Sequence, residues 1–328
     1  MNELTVAAFA AETSSHVVDA PRSRRFAAFA RGFDERAYLE RLHERGLRWL
    51  ARSHADFPGL LRAIHDPPSG LFVRGRGDPP LLARPAVAVV GARACSPYGA
   101  QVSRTLGREL TRAGLLVVSG LARGIDGEAH RGALEAGGPT VAVLGCGVDR
   151  DYPASHRTLA AAIADSGLIV SEYAPGVEPA PWRFPARNRI VAGLARATVV
   201  VEAREASGAL ITADLALEEG REVFAVPGEI TSALSAGTNT LLRLGATPLT
   251  SSTDVLEALG VAAPARAPPE LSADAASVLA VLRDGAGGAD QLARSTELGA
   301  GVLAAALAEL ELAGLVTHAD GLYRASAT

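Results

Sequence analysis

Val118-Ser-Gly-Leu-Ala-Arg-Gly-Ile-Asp-Gly-Glu-Ala-His130 is the stretch whose reading decides the fold. The apolar run Leu115-Leu-Val-Val118 that leads into it predicts a buried strand. The glycines predict a turn, and Ala129 and Leu134 lie on a helix beyond it. Strand, glycine turn and helix in that order form the repeating unit of a parallel α/β sheet. Gly120, Gly124 and Gly127 let backbone N–H groups come close to a ligand. The helix start adds partial positive charge and Arg123 adds a full one. Together they predict an anion site, and phosphate is the usual anion.

The same rhythm extends in both directions. Ala86–Val90 is an apolar strand ending at Gly91, followed by a helix with Val102, Leu106 and Leu110 on one face. Thr140–Leu144, Leu168–Val170, Thr198–Val201 and Val223–Val226 are further short apolar, β-branched runs separated by amphipathic stretches. Strands without polar alternation are buried on both faces, so the expected fold is an extended Rossmann-like, doubly wound, mostly parallel sheet over 79–260. Ligands of such sheets sit beyond the strand C-termini, where the glycine turns should converge.

Residues 1–78 are arginine-rich, with helical patterning around Tyr38–Leu50 and a loop-rich passage marked by Pro58, Pro67, Pro68, Pro79 and Pro80. They read as a small N-terminal helical domain, with residues 1–20 expected to be disordered. The proline-rich segment 261–270 reads as a linker. Residues 271–328 then carry three helical patterns and a strand pair, a winged-helix-like domain.

The chain has 328 residues and a formal net charge of −4, so any nucleic-acid role requires a local basic patch. All 32 basic residues are arginine, whose planar fork grips phosphate in bidentate fashion. The two cysteines, Cys95 and Cys146, show neither disulfide nor metal spacing, which fits a reducing, cytoplasmic setting. No run has the length of a membrane helix, and Val6–Ala11 is too short for a signal segment.

Three further turns bear on chemistry. Gly91-Ala-Arg93 follows the first strand of the core and should lie beside Gly120 and Arg123. Phe184-Pro-Ala-Arg187-Asn-Arg189 clusters cations with Trp182 and Phe184, a composition suited to a nucleotide backbone with stacked bases. Ser207-Gly208 either opens a helix toward the same edge or simply caps it. Gly145-Cys-Gly147 begins like a dinucleotide fingerprint, but Arg150 occupies the third glycine position, so no NAD and no other cofactor is expected. Cys146 reads as a small residue in a tight loop rather than a nucleophile. Asp126, His130 and Glu172 read as structural, with Asp126 capping or orienting Arg123. From residue 271 onward seven acids face three arginines, and the third helical pattern, Val302–Leu312, has no base. That module should not read duplex DNA.

Taken together, the motifs resemble the DprA/Smf family, the DNA-processing protein A of bacteria, from about Asp56 to the C-terminus. The resemblance rests on Phe57-Pro58 with Asp66-Pro-Pro68, Val89-Val-Gly-Ala-Arg93 with Tyr98-Gly99, and Ser119 through His130. It continues through Val143–Asp149 with Tyr152-Pro153, Ser171–Gly176, Phe184–Gly193 and Val201-Glu202. Ser207–Ala213 and Val226-Pro-Gly228 with Gly237-Thr-Asn239 complete it. It implies a non-enzymatic, sequence-independent single-stranded DNA binder that forms homodimers, protects incoming strands in natural transformation and loads RecA. The implied strand site comprises Gly91, Arg93, Ser119, Gly120, Arg123, Gly124, Gly145, Gly147, Phe184, Arg187, Asn188, Arg189, Ser207 and Gly208. Members often use lysine near the strand, where this chain must use arginine, and His156 stands where asparagine is common. The competing reading is a nucleotide-hydrolysing Rossmann enzyme like the phosphoribohydrolases. Their Pro-Gly-Gly-x-Gly-Thr pattern is missing from the equivalent loop, Glu205–Leu210. A transcription regulator acting through the terminal module is opposed by that module's charge.

Overall fold

The computed structural model describes residues 2–13, 24–262, 271–285, 287–313, 315–319 and 321–325. They form two units, Met1–Pro264 and Ala265–Thr328. The first begins with helices α1 (Glu3–Thr13), α2 (Arg24–Gly32) and α3 (Glu35–Glu44), then β1 (Leu47–Ala51), the short α4 (Gly59–Arg62) and β2 (Gly70–Arg74). Strand and helix alternate from there: β3 (Ala86–Val90), α5 (Pro97–Arg112), β4 (Leu116–Ser119), α6 (Ile125–Glu135), β5 (Thr140–Val143) and α7 (Arg157–Ser166). They continue as β6 (Leu168–Ser171), α8 (Arg183–Leu194), β7 (Ala197–Val200), α9 (Gly208–Glu218), β8 (Glu222–Ala225), α10 (Ala236–Arg243), β9 (Thr247–Pro248) and α11 (Ser252–Ala258).

Nine strands form one sheet in the order β1-β2-β6-β5-β4-β3-β7-β8-β9. The six core strands expected from the sequence are its parallel centre, β6 to β8 in that order. Their apolar runs are continuous because both faces are covered. Ala86, Ala88 and Val90 of β3 join one hydrophobic cluster with Val118, Val143, Val170 and Ile190. Val87 and Val89 join another with Leu106, Leu110, Val117 and Phe224. Successive side chains of a strand point to opposite faces, so a fully covered strand has no polar position to offer.

The N-terminal part differs from the expectation of a separate helical domain over 1–78. The helix expected over Tyr38–Leu50 ends at Glu44, where Gly46 takes a φ of +67°, a conformation that glycine adopts without strain. Leu47–Ala51 is instead a strand on β2, and β2 pairs antiparallel with β6 through Phe72–Ser171 and Val73–Val170. Residues 47–74 therefore extend the main sheet, and residue 78 is no boundary. Nor is the start of the chain disordered as expected. Leu4 and Ala7 of α1 are buried against Leu42, Leu47 and Phe72. Residues 14–20, and 263–270 of the expected linker, lie outside the described residues.

The second unit holds α12 (Ala273–Asp284), α13 (Ala289–Thr296), α14 (Ala300–Leu312) and an antiparallel hairpin of β10 (Val316–Ala319) and β11 (Leu322–Ala325). It has its own core, including Leu279, Leu292, Leu303, Leu307 and Leu310. No helix among the described residues is long and apolar enough to cross a membrane.

One buried group of the first unit has a measurable signature. The Thr140 hydroxyl donates to the Val117 carbonyl at 2.8 Å, so its oxygen must accept from Nδ1–H of His130, also at 2.8 Å. Burial, then the neighbouring His156 and Arg187, push the His130 pKa down to about 3. The unfolded chain takes up this proton near pH 6.5 and the folded chain does not, so His130 removes stability as pH falls from 6.5 toward 3. Between pH 7 and 5 its share should be about 2 kcal/mol. In urea unfolding at the two pH values, His130→Gln should lose that part of the pH dependence.

Candidate functional site

The strand order reverses at β3, whose chain continues to β4 on one side while β7 lies on the other. At such a switch point the two flanking turns part and leave a crevice beyond the strand C-termini. Backbone bonds lace those turns together here. Ala92 N–H donates to the Glu202 carbonyl at the end of β7 (2.7 Å), and Ile125 N–H at the start of α6 donates to the Ala92 carbonyl (3.2 Å). Gly124 has a φ of +75°, and a Cβ there would collide with the Ala92 carbonyl, so glycine is required for the close approach.

The cleft has two joined compartments that share Arg93, Gly120, Ala122, Phe184 and Arg187. One runs toward Asn188, Ser207, Gly208 and Thr212, and has Asp126 on its wall. The other runs toward Arg123, Tyr152 and Ser155. The Arg93 guanidinium lies over the Phe184 ring, 5.2 Å from its centroid, and Phe184 stacks on Tyr152 at 5.3 Å and 23°. Arg93 and Arg123 are exposed, and no carboxylate pairs with either among the described residues. The mouth thus presents two exposed guanidiniums, neither in a salt bridge, beside an aromatic stack.

Behind the mouth, the turn 120–124 is held by three side chains. Leu121 has a φ of +58°, rare for a residue with a Cβ, and His156 Nδ1–H donates to its carbonyl (3.1 Å). Gly120 and Ala122 N–H donate to Asp126 Oδ2 at 3.1 and 3.4 Å. Arg187 Nη1 donates to the Gly120 carbonyl at 2.8 Å and to the Val143 carbonyl. Both members of the Asp126–Arg187 couple are buried. Burial raises the Asp126 carboxyl above its usual range while Arg187 opposes the rise, and burial lowers the Arg187 guanidinium while Asp126 opposes the fall.

Several expected site residues act differently. Two N–H groups of the glycine turn, expected to meet an external anion, are bound to Asp126. Asp126 itself sits beside Arg187 rather than orienting Arg123. Ser119 is fully buried, and its hydroxyl donates to the Val89 carbonyl at 2.6 Å. Gly145 and Gly147 are buried away from the cleft. Gly145 backs Phe184 and Arg183, and Gly147 lies against Asp149 and Ala174. Arg189 donates from Nη1 and Nη2 to the two Glu172 oxygens at 2.8 Å each, and from Nε to Asp66 at 2.9 Å. Burial alone would depress its pKa, but Glu172 and then Asp66 outweigh burial and hold it above the usual range. Arg189 is thus spent on internal carboxylates.

Gly91, Arg93, Gly120, Arg123, Phe184, Arg187, Asn188, Ser207 and Gly208 do line the cleft. Ser207 caps α9, its Oγ accepting from Ala209 N–H (3.3 Å), and Asn188 Nδ2 donates to the Gly208 carbonyl (3.1 Å). Among residues not singled out as site members, Tyr152 and Asp126 matter most. The Tyr152-Pro153 pair after a glycine turn was the available signal for the first. Burial pushes the Cys146 thiol up to about 11, so at neutral pH it is a packed thiol, not a nucleophile.

A family model described as DNA recombination-mediator protein A matches residues 48–260, and one described as DprA winged helix domain matches 262–321. The chain belongs to the DprA family. It is 48% identical over 200 residues to the DNA processing protein DprA of Streptococcus pneumoniae (strain ATCC BAA-255 / R6), covering 61% of this chain and 70% of that one. It is 40% identical over 222 residues to DNA processing protein DprA of Bacillus subtilis (strain 168), covering 67% and 74%. The crystal structure of DprA from S. pneumoniae aligns with a TM-score of 0.66 at 39% identity, over 78% of this chain and 92% of that one. DNA processing protein A from Helicobacter pylori, solved to study its single-stranded DNA binding mode, aligns with a TM-score of 0.57 at 34% identity, over 62% and 92%. The DprA sheet and winged helix account for both units of this chain.

Proposed function

We propose that this DprA-family protein binds single-stranded DNA without sequence readout in the switch-point cleft, as a homodimer, and passes the strand to RecA during natural transformation. It performs no catalytic step. The observation that carries the reading is the pair of exposed guanidiniums without a salt-bridge partner, Arg93 and Arg123, flanking the Phe184–Tyr152 stack. Free cations neutralise phosphates, and aromatic faces receive bases of any identity. The single-strand binding described for the H. pylori relative supports the same reading.

The test is affinity for single-stranded and duplex oligonucleotides across a salt series. Arg93→Ala should weaken single-strand binding alike for all sequences and make the log–log salt slope shallower by about 0.7, the share of one phosphate. An unchanged slope would remove Arg93 from the strand path. Adding the protein to RecA and a strand precoated with single-strand-binding protein should shorten the lag before RecA filaments form, and sedimentation should give a dimer.

The second unit is assigned no duplex contact. The outward positions of α14 include Val302, Ala304, Ala305, Ala308, Glu311 and Leu312, which offer no cation to a groove. Residues 270–328, which hold a core of their own, should show no measurable duplex binding at physiological salt in a gel-shift assay.

A further inference from the structure

The two compartments of the cleft differ in charge, and the difference sorts the parts of a nucleotide. The compartment toward Tyr152 is lined by three guanidiniums, those of Arg93, Arg123 and Arg187, with no carboxylate among its lining residues. The compartment toward Thr212 shares Arg93 and Arg187 but adds the Asp126 carboxylate. Asp126 is 6% exposed. Its Oδ2 accepts both backbone N–H groups of the glycine turn, while Oδ1 has no protein partner among the described residues. That oxygen is open to the cleft, so this wall offers a carboxylate acceptor to a ligand that brings an N–H. It offsets part of the positive charge of Arg93 and Arg187, so a phosphate is drawn less strongly here than to the compartment lined by guanidiniums alone. Apolar Val90, Val191 and Ala209 line the same compartment, which suits the flat faces of a base. The Asn188 amide does not compete for the ligand, being engaged with Gly208 and Arg187.

We propose that Asp126 is a specificity-determining residue: its Oδ1 accepts a hydrogen bond from the exocyclic amino group of a base turned into the Thr212 side of the cleft. The phosphate of that stretch lies on Arg93 and Arg123. This rests on the single-strand reading and adds a bias to its sequence tolerance. Cytosine presents an N4 amino group where thymine presents the O4 acceptor. Thymine's one ring N–H is flanked by two carbonyl oxygens that the carboxylate repels. Strands rich in amino-bearing bases should therefore bind more tightly than thymine strands.

The test uses the full chain with oligo(dC) and oligo(dT) of equal length, read by fluorescence anisotropy at slightly alkaline pH so that cytosine stays neutral. The wild type should prefer oligo(dC) by about three- to tenfold, the net worth of one ordinary hydrogen bond at a site open to water. Asp126→Asn can keep its oxygen on the Gly120 and Ala122 N–H groups and turn an NH2 donor toward the ligand. The ratio of the two affinities should then fall to one or invert, whatever the change in overall affinity. A second measurement needs no variant. Replacing cytosine by 2-pyrimidinone, which lacks only the amino group, should lower wild-type affinity to the oligo(dT) level. Equal wild-type affinity for oligo(dC), oligo(dT) and the 2-pyrimidinone strand would overturn the role of Asp126 and leave single-strand binding standing. Binding to none of them would remove the reading beneath it as well.

Discussion

Replacing Arg187 by alanine is expected to lower the unfolding free energy of the first unit by about 3–5 kcal/mol and to abolish single-strand binding at physiological salt. Four groups depend on this one side chain. Its Nη1 serves the carbonyls of Gly120 and Val143, and its Nε donates to Asn188 Oδ1 at 3.2 Å. Its charge also faces buried Asp126. Alanine leaves two buried acceptors without donors and a buried carboxylate without its main cation, the combination that makes breaking a buried pair so costly. The glycine turn would then lose one of its three supports, and Leu121, already at a positive φ, would relax. Arg187→Lys should recover only part of the loss, because one ammonium cannot reach both the carbonyl pair and Asn188. Gly120→Ala should mimic the binding defect, since its Cβ would fall on the Arg187 guanidinium. Urea unfolding and anisotropy on the three variants check the set. A stability within 1 kcal/mol of wild type for Arg187→Ala would refute this account of the turn.

How much of this was readable in the sequence depended on how local the cause was. The parallel strands β3 to β8 were legible because burial on both faces writes itself into each strand as an unbroken apolar run. The same locality exposed Gly91, Arg93, Gly120 and Phe184, which follow strands directly or open a helix. β1 and β2 were not legible. Leu47-Arg-Trp-Leu50 continues an acceptable helical pattern from Tyr38, and Gly70–Arg74 follows a proline cluster that reads as loop. What makes β2 a strand is its pairing with β6, about a hundred residues away, which leaves no local mark. Arginine roles fail for the same reason. A guanidinium looks alike in sequence whether it meets a phosphate or a remote carboxylate, and the Asp66 partner of Arg189 lies 123 positions away.

That ambiguity gives Arg189 a decisive test against Arg93. Arg189 is held by Glu172, whose side chain is 8% exposed, and by Asp66 from the Asp66-Pro-Pro68 turn, so it ties α8 to the segment before β2. Arg189→Ala should cost about 3–5 kcal/mol of stability, because Glu172 would be left buried and unpaired. Replacing both partners, Arg189→Met with Glu172→Leu, should recover most of that loss, since a buried ion pair is often matched by apolar side chains of similar volume. Neither change should alter the salt slope of single-strand binding by the folded fraction, because this guanidinium neutralises no phosphate. Arg93→Ala should do the opposite, lowering the slope while leaving stability within about 0.5 kcal/mol, as expected for an exposed side chain. If Arg189→Ala reduced the slope as much as Arg93→Ala does, its carboxylate partners would have to release it when a strand arrives, and the cleft would carry one more phosphate contact than its resting geometry provides.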